Sequence, residues 1–173
     1  MTYLICPGIH DRKLTESFLE GLKSENINLN KLLILPVDRY PPYSAFHIFS
    51  FLEQQLKSQT ELTVISFSAG VVGAIGAASK WQQQGNSIRA FMALDGWGVP
   101  LRGDFPIYRL SHDYFTHWSS ALLGGGDESF YADPPVDHLD LWRSPAQVPG
   151  WHLGKGDRSR TTAAAFLAHL LNS

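Results

Sequence analysis

Ser68 stands where a nucleophile could be built. It lies in Val64-Ile65-Ser66-Phe67-Ser68-Ala69-Gly70, between an apolar run and a small-residue stretch containing Gly73, Gly76, Ala77 and Ala78. A serine held exposed on a tight strand-to-helix turn needs small residues two positions before and after it, and Ser66 and Gly70 occupy those places. Such a serine also needs a base to take its proton, and that base needs a carboxylate to fix its tautomer and stabilise its cation. Asp113, in Ser111-His112-Asp113, and His138, in Val136-Asp137-His138-Leu139, supply the pair in the order serine, acid, histidine. Asp95, in Leu94-Asp95-Gly96, is the rival acid, because the same order holds for it. Asp-Gly is also a turn signal, so Asp113 is preferred. His152 is the alternative base, ranked second because no strand is read before it, with His112 and His117 behind it.

An acyl-transfer reaction also needs two N–H donors for its oxyanion. The backbone of Ala69, directly after the serine, would be one. The other would come from the loop Pro7-Gly8-Ile9-His10, with Ile9 the best candidate. Trp97, Trp118, Trp142 and Trp151 fall near the expected strand ends, where aromatic walls suit a mostly apolar binding pocket, and the first three are the pocket candidates. Each feature also has a plainer reading: Ser68 or Ser66 as a helix cap, Pro-Gly as a turn, a tryptophan as core. His112, Asp113 and His117 could suggest metal ligands, but only Asp113 and His117 have i,i+4 spacing, His112 would point elsewhere on a helix, and there is no His-Glu-x-x-His pattern, so no metal is expected. Gly70, Gly73 and Gly76 do not make a dinucleotide-binding turn, since serines occupy the turn itself. No cofactor is expected.

The elements that must position these residues follow from the apolar patterning. Thr2–Cys6, Leu32–Val37, Leu62–Phe67, Ile88–Leu94 and Pro106–Leu110 read as strands, with Ser129–Ala132 a short sixth. Leu14, Phe18, Leu19 and Leu22 recur at helical spacing. So do Ala45, Ile48, Phe49, Leu52 and Leu56, with Ser44 as N-cap. Further helices are read from Ala69 to about Gln84, from Tyr114 to Leu123 (closed by Gly124-Gly125-Gly126) and from Thr161 to Leu171. Gly150 to Arg160, rich in glycine and charge, reads as a surface loop. Strands that are nearly all apolar imply a sheet covered on both faces. The expectation is therefore an α/β, three-layer, doubly wound and mostly parallel sheet of about six strands, with ligands at the carboxyl ends of the strands.

The chain has 173 residues, 44% of them hydrophobic and 17% charged, which suits one domain spanning residues 1–173. Fourteen basic and sixteen acidic residues give a net charge of −2, without a basic cluster that would suit nucleic acid. No apolar run reaches the roughly 18 residues of a membrane span, and no signal peptide is read. Cys6 is the only cysteine and has no intramolecular disulfide partner, which suits a reducing compartment and a cytoplasmic location.

From about Tyr3 to Ser144 the chain resembles the α/β-hydrolase superfamily, especially its minimal lidless bacterial lipases and esterases. The resemblance rests on the Pro-Gly-Ile turn, the serine elbow, an acid after the penultimate strand and the His-Leu-x-Leu segment after the last. It departs at Ser66, where the family usually has glycine, and at Pro7, where a histidine is common. The resemblance implies a serine hydrolase acting on small carboxylic esters or thioesters. Ser68 would be the nucleophile, Asp113 the acid, His138 the base, and Ile9 and Ala69 the oxyanion donors. The alternative expectation is a non-catalytic protein of this fold that binds an acyl or aromatic ligand or a protein partner. The short chain leaves no room for a cap, so the loops Gly96–Asp104 and Pro134–Trp151 would select substrate.

Overall fold

The computed structural model describes residues 1–27, 29–124 and 126–173. Eight strands form one sheet: β1 (Thr2–Cys6), β2 (Leu32–Ile34), β3 (Glu61–Phe67), β4 (Ser87–Leu94), β5 (Ile107–Ser111), β6 (Glu128–Ala132), β7 (Pro149–Leu153) and β8 (Arg158–Thr162). Their order across the sheet is β2-β1-β3-β4-β5-β6-β7-β8. The first six are parallel, and β7 and β8 add an antiparallel hairpin at the β6 edge. Interspersed are α1 (Arg12–Lys23), α2 (Ala45–Gln55), α3 (Ala69–Gln83), α4 (Tyr114–Ala121), α5 (His138–Arg143) and α6 (Ala163–Asn172). Among the described residues, no helix is long and apolar enough to cross a membrane.

The two sides of the sheet separate by strand alternation. Leu4, Cys6, Leu62 and Val64 pack on one face with Ile48, Leu52, Val71 and Ala74 of α2 and α3. Tyr3, Ile5, Ile65 and Phe67 point the other way, into a core shared with α1, α5 and α6. The helix starts are held by the side chains their sequences suggest. Ser44 accepts from the His47 N–H at 3.4 Å, Asp113 from Thr116 at 2.7 Å, and Thr162 from Ala165 at 3.2 Å. Small residues bring α3 unusually close to its neighbours. A Cβ on Gly73 would lie 2.4 Å from the Pro42 carbonyl, and one on Gly76 would lie 2.8 Å from the Ala45 side chain.

Three expectations change. The sheet has eight strands rather than about six, because Gly150 to Arg160 is not a loop but most of the β7–β8 hairpin. Its glycines and charges suit an edge ribbon, since charged side chains discourage further strand pairing. Arg158 packs its guanidinium 3.8 Å over the Trp151 ring there. The strand expected over Leu32–Val37 stops at Ile34, two residues before Pro36, which has no N–H for a ladder. The helix expected to Leu123 ends at Ala121; of the three glycines read as its stop, Gly125 lies outside the described residues.

A close backbone approach lies at Gly70, where a Cβ would meet the Cys6 carbonyl oxygen at 2.2 Å and that of Pro7 at 2.6 Å. Neither oxygen can swing aside without moving β1. Gly70→Ala is expected to destabilise the protein by about 3 kcal/mol, at the upper end of overpacking costs. Urea denaturation checks this, and an unchanged midpoint would show that β1 and α3 are not in such contact.

Candidate active site

Ser68 is the turn between β3 and α3, and its backbone sits at φ 52°, ψ −121°, a conformation that costs a non-glycine residue energy. The turn is held from both sides: the Ser68 N–H donates to the Leu94 carbonyl at 2.9 Å, and the Ser68 carbonyl accepts from Val71 at 3.0 Å. Gly8, after β1, also lies close, since a Cβ there would be 3.0 Å from that of Ser68. Ser66, two residues earlier, is fully buried and donates its hydroxyl to the Met92 carbonyl at 3.0 Å, so its polarity is absorbed by the adjacent strand.

One strand along, Asp95 follows β4 and also has positive φ, 50°. The left-handed turn is the one its Asp-Gly sequence suggests, and the side chain is turned inward, with only 1% of it exposed. His138 is the first residue of α5. Its Nδ1–H donates to Asp95 Oδ2 at 2.7 Å, and its Nε2 accepts from the Ser68 hydroxyl at 3.1 Å. The imidazole lies on Phe67 (centroids 4.7 Å apart, planes 23° from parallel), Phe67 on Trp142, and Trp142 on Phe18. That aromatic column fixes the ring plane from beneath while Asp95 fixes its edge.

Asp95 has two further donors. The His112 N–H donates to Oδ1 and the His112 Nδ1–H to Oδ2, both at 2.9 Å. Burial alone would raise the Asp95 pKa. The hydrogen bonds from His112 and His138, with the nearby His112 charge, outweigh it and hold the carboxyl below its ordinary value. The bond to Asp95 raises the His112 pKa against the opposing effect of burial, helped by the charges of Asp95, Asp113 and Asp137.

The acid preferred from sequence is thus not the one behind His138. Asp113 is the N-cap of α4: its Oδ1 accepts from Thr116, and its Oδ2 lies 3.5 Å from His112 Nε2. Asp95, the rival, makes the bond to His138. The alternative base His152 lies on β7 and binds Glu128 Oε2 at 2.5 Å, so its ring is committed to another cluster. Glu128 begins β6, and its cluster with His152 and His169 offers three convergent metal donor atoms at a separate place in the fold. The donor atoms of Asp95, His112 and His138 also converge, but they face one another in hydrogen bonds.

Beside Ser68 opens a cleft of about 550 Å³. Ser68, Asp95, His112, Asp113, Thr116 and His138 supply its polar side, and Val72, Trp97, Val99 and Phe115 its apolar side. Of the tryptophans expected to line a pocket, Trp97 does so, braced by its indole N–H on Ser119 Oγ at 3.1 Å. Trp118 is exposed on α4 and is not part of the cleft wall. Trp142 is fully buried in the aromatic column, its N–H donated to Thr15 Oγ1. The six-residue α5 that carries it was too short to show a helical period. Ala69 lines the cleft and opens α3, so its N–H belongs to the group that has no partner within the helix. Ile9 is 72% exposed on the loop beside Ser68 and lies outside the cleft wall. Sequence reading missed Phe115, and it weighed His112 only as a further candidate base behind His152 and as a candidate metal ligand, not as a partner of Asp95.

A serine hydroxyl, an imidazole and a buried carboxylate joined in this order can pass the hydroxyl proton to the ring and hold the resulting cation. Compared with known proteins, the chain matches no family model and no curated protein.

The Asp95 environment makes a stability prediction. A carboxyl whose pKa is lowered in the folded state stabilises the fold above its unfolded pKa of about 3.9, and that stability is lost as pH falls through the folded value. Unfolding free energy from urea titrations should therefore decline below about pH 4. Asp95→Asn should lose about 1–3 kcal/mol at neutral pH and show a shallower acid decline. Parallel acid declines in the two proteins would contradict the assigned bonding.

Proposed function

We propose that the chain is a serine hydrolase of the α/β-hydrolase type that cleaves small carboxylic esters or thioesters. The observation that carries this reading is the hydrogen-bonded order Ser68–His138–Asp95, with spacings of 3.1 and 2.7 Å, at the carboxyl ends of parallel strands. His138 Nε2 takes the Ser68 proton as Oγ attacks the acyl carbonyl carbon. The Ala69 N–H at the start of α3, with the Ile9 N–H from the facing loop, receives the developing oxyanion. The tetrahedral intermediate collapses, and the leaving alcohol or thiol departs with the proton from Nε2. Water then gives a proton to the same nitrogen and attacks the acyl-enzyme, which releases the acid and restores Ser68.

Asp95 keeps the proton of neutral His138 on Nδ1, so that Nε2 faces the serine, and stabilises the ring when it becomes a cation. The wall of Val72, Trp97, Val99 and Phe115 suits an apolar acyl or aromatic group. The steps require no cofactor. A small molecule is the expected partner, and the free, buried Cys6 suits work in the reducing cytoplasm.

The test is hydrolysis of a panel of p-nitrophenyl esters and acyl-CoA thioesters. Ser68→Ala should abolish turnover of whichever substrate wild type cleaves. Asp95→Asn should lower kcat by about 10⁴, because it favours the wrong imidazole tautomer, and Asp113→Asn should cost far less. Turnover that survives in Ser68→Ala would overturn the reading. An inactive wild type across the panel would leave the site as a binding cleft.

A further inference from the structure

We propose that His112 is a positioning residue of this site. It grips both oxygens of Asp95 to orient the carboxylate toward His138, and shares the carboxylate's negative charge, so that His138 is not its only cationic partner. The inference rests on the serine-hydrolase reading for its catalytic meaning, though not for its geometry.

A buried carboxylate with one histidine partner draws a proton onto that histidine. Asp95 has two, and their Nδ1 atoms reach the same oxygen, Oδ2, at 2.7 Å from His138 and 2.9 Å from His112. His112 is bound more completely. Its backbone N–H holds Oδ1 at 2.9 Å, and its own carbonyl accepts from Val136 at 3.1 Å, tying the end of β5 to the approach to α5. Carboxylates meet it from three elements: Asp95 after β4, Asp113 at the start of α4 and Asp137 just before α5. Asp113 Oδ2 lies 3.5 Å from its Nε2, so a protonated His112 would bridge two carboxylates. The only other titratable ring in the group is His138, with centroids 5.9 Å apart and the rings nearly perpendicular. His138 has a different use for its far nitrogen, which accepts from Ser68.

The arrangement fixes an order of protonation. His112, with carboxylates at both ring nitrogens, takes the first proton as pH falls. Its positive charge then opposes a second proton on His138. At this separation and an effective dielectric of about 20, the opposition amounts to roughly two pH units before salt screens it. The pair titrates as a coupled unit in two steps. His112 is thereby the proton sink that leaves the working imidazole free.

The test is an NMR pH titration of the histidine Cε1–H signals, run on wild type and on His112→Asn. Asparagine retains a donor near the Nδ1 position but carries no titrating charge. In wild type, His112 should titrate at higher pH than His138. In His112→Asn the His138 midpoint should rise by about one unit, and the acid limb of kcat/KM for any hydrolysed ester should move up with it. His112→Ala should also lower kcat more than it changes KM, with partial recovery in the asparagine variant. A His138 midpoint that stays put or falls in His112→Asn, or a wild type in which His138 protonates first, would overturn the inference. The titration needs no substrate. A shifted midpoint in a protein that hydrolyses nothing would sink the enzymatic reading alone, whereas Ser68-dependent turnover with an unmoved midpoint would sink this one alone.

Discussion

The site is organised around one buried carboxylate. Asp95 accepts three hydrogen bonds, two from His112 and one from His138. A carboxylate this secluded is tolerated only when its oxygens are satisfied and a cation or potential cation stands nearby. Removing either histidine would leave part of that demand unmet. Removing the carboxylate would release two imidazoles, one of them joined to Ser68. The ends of β4 and β5 and the start of α5 are thus tied through a single side chain.

Backbone geometry delivers the groups to this point. Ser68 and Asp95 follow adjacent strands, and both occupy positive φ. Their turns are stitched together, because the Ser68 N–H donates to the carbonyl of Leu94, the residue before Asp95. Strain at Ser68 persists because the surroundings over-determine it: β1 closes on Gly70, and Gly8 closes on the serine itself. The aromatic column of Phe18, Trp142 and Phe67 then supplies a flat floor for His138. The hydrophobic core and the polar site are continuous there, so a packing defect at Trp142 would tilt the imidazole as well as loosen the fold.

Much of the parallel part of the sheet was legible in the chain. β1 runs over the residues its apolar pattern marks, and β3 and β4 each begin one residue earlier, since a strand covered on both faces is written as an apolar run. The elbow was legible because close approach demands small residues, and Gly70 has no alternative. The acid was not. Asp95 and Asp113 both follow strands, and the turn reading of Asp95-Gly96 was correct for the backbone while silent about where the carboxylate goes. Asp113 looked like the better acid but serves as a helix cap, a use that leaves the same trace in sequence. The β7–β8 hairpin was hidden for a different reason: an exposed edge ribbon is built from glycine and charge, as loops are. His112 owes its place to pairing across strands, which single-sequence periodicity does not report.

The proposed chemistry turns on activation of Ser68 by His138. The most direct measurement is intact-mass and peptide mapping of the folded protein after reaction with a fluorophosphonate, followed as a function of pH. One adduct is expected, on Ser68, formed at a rate that falls as His138 is protonated and lost in His138→Gln. Absence of labelling, labelling at another residue, or a rate on Ser68 indifferent to His138 would contradict that activation.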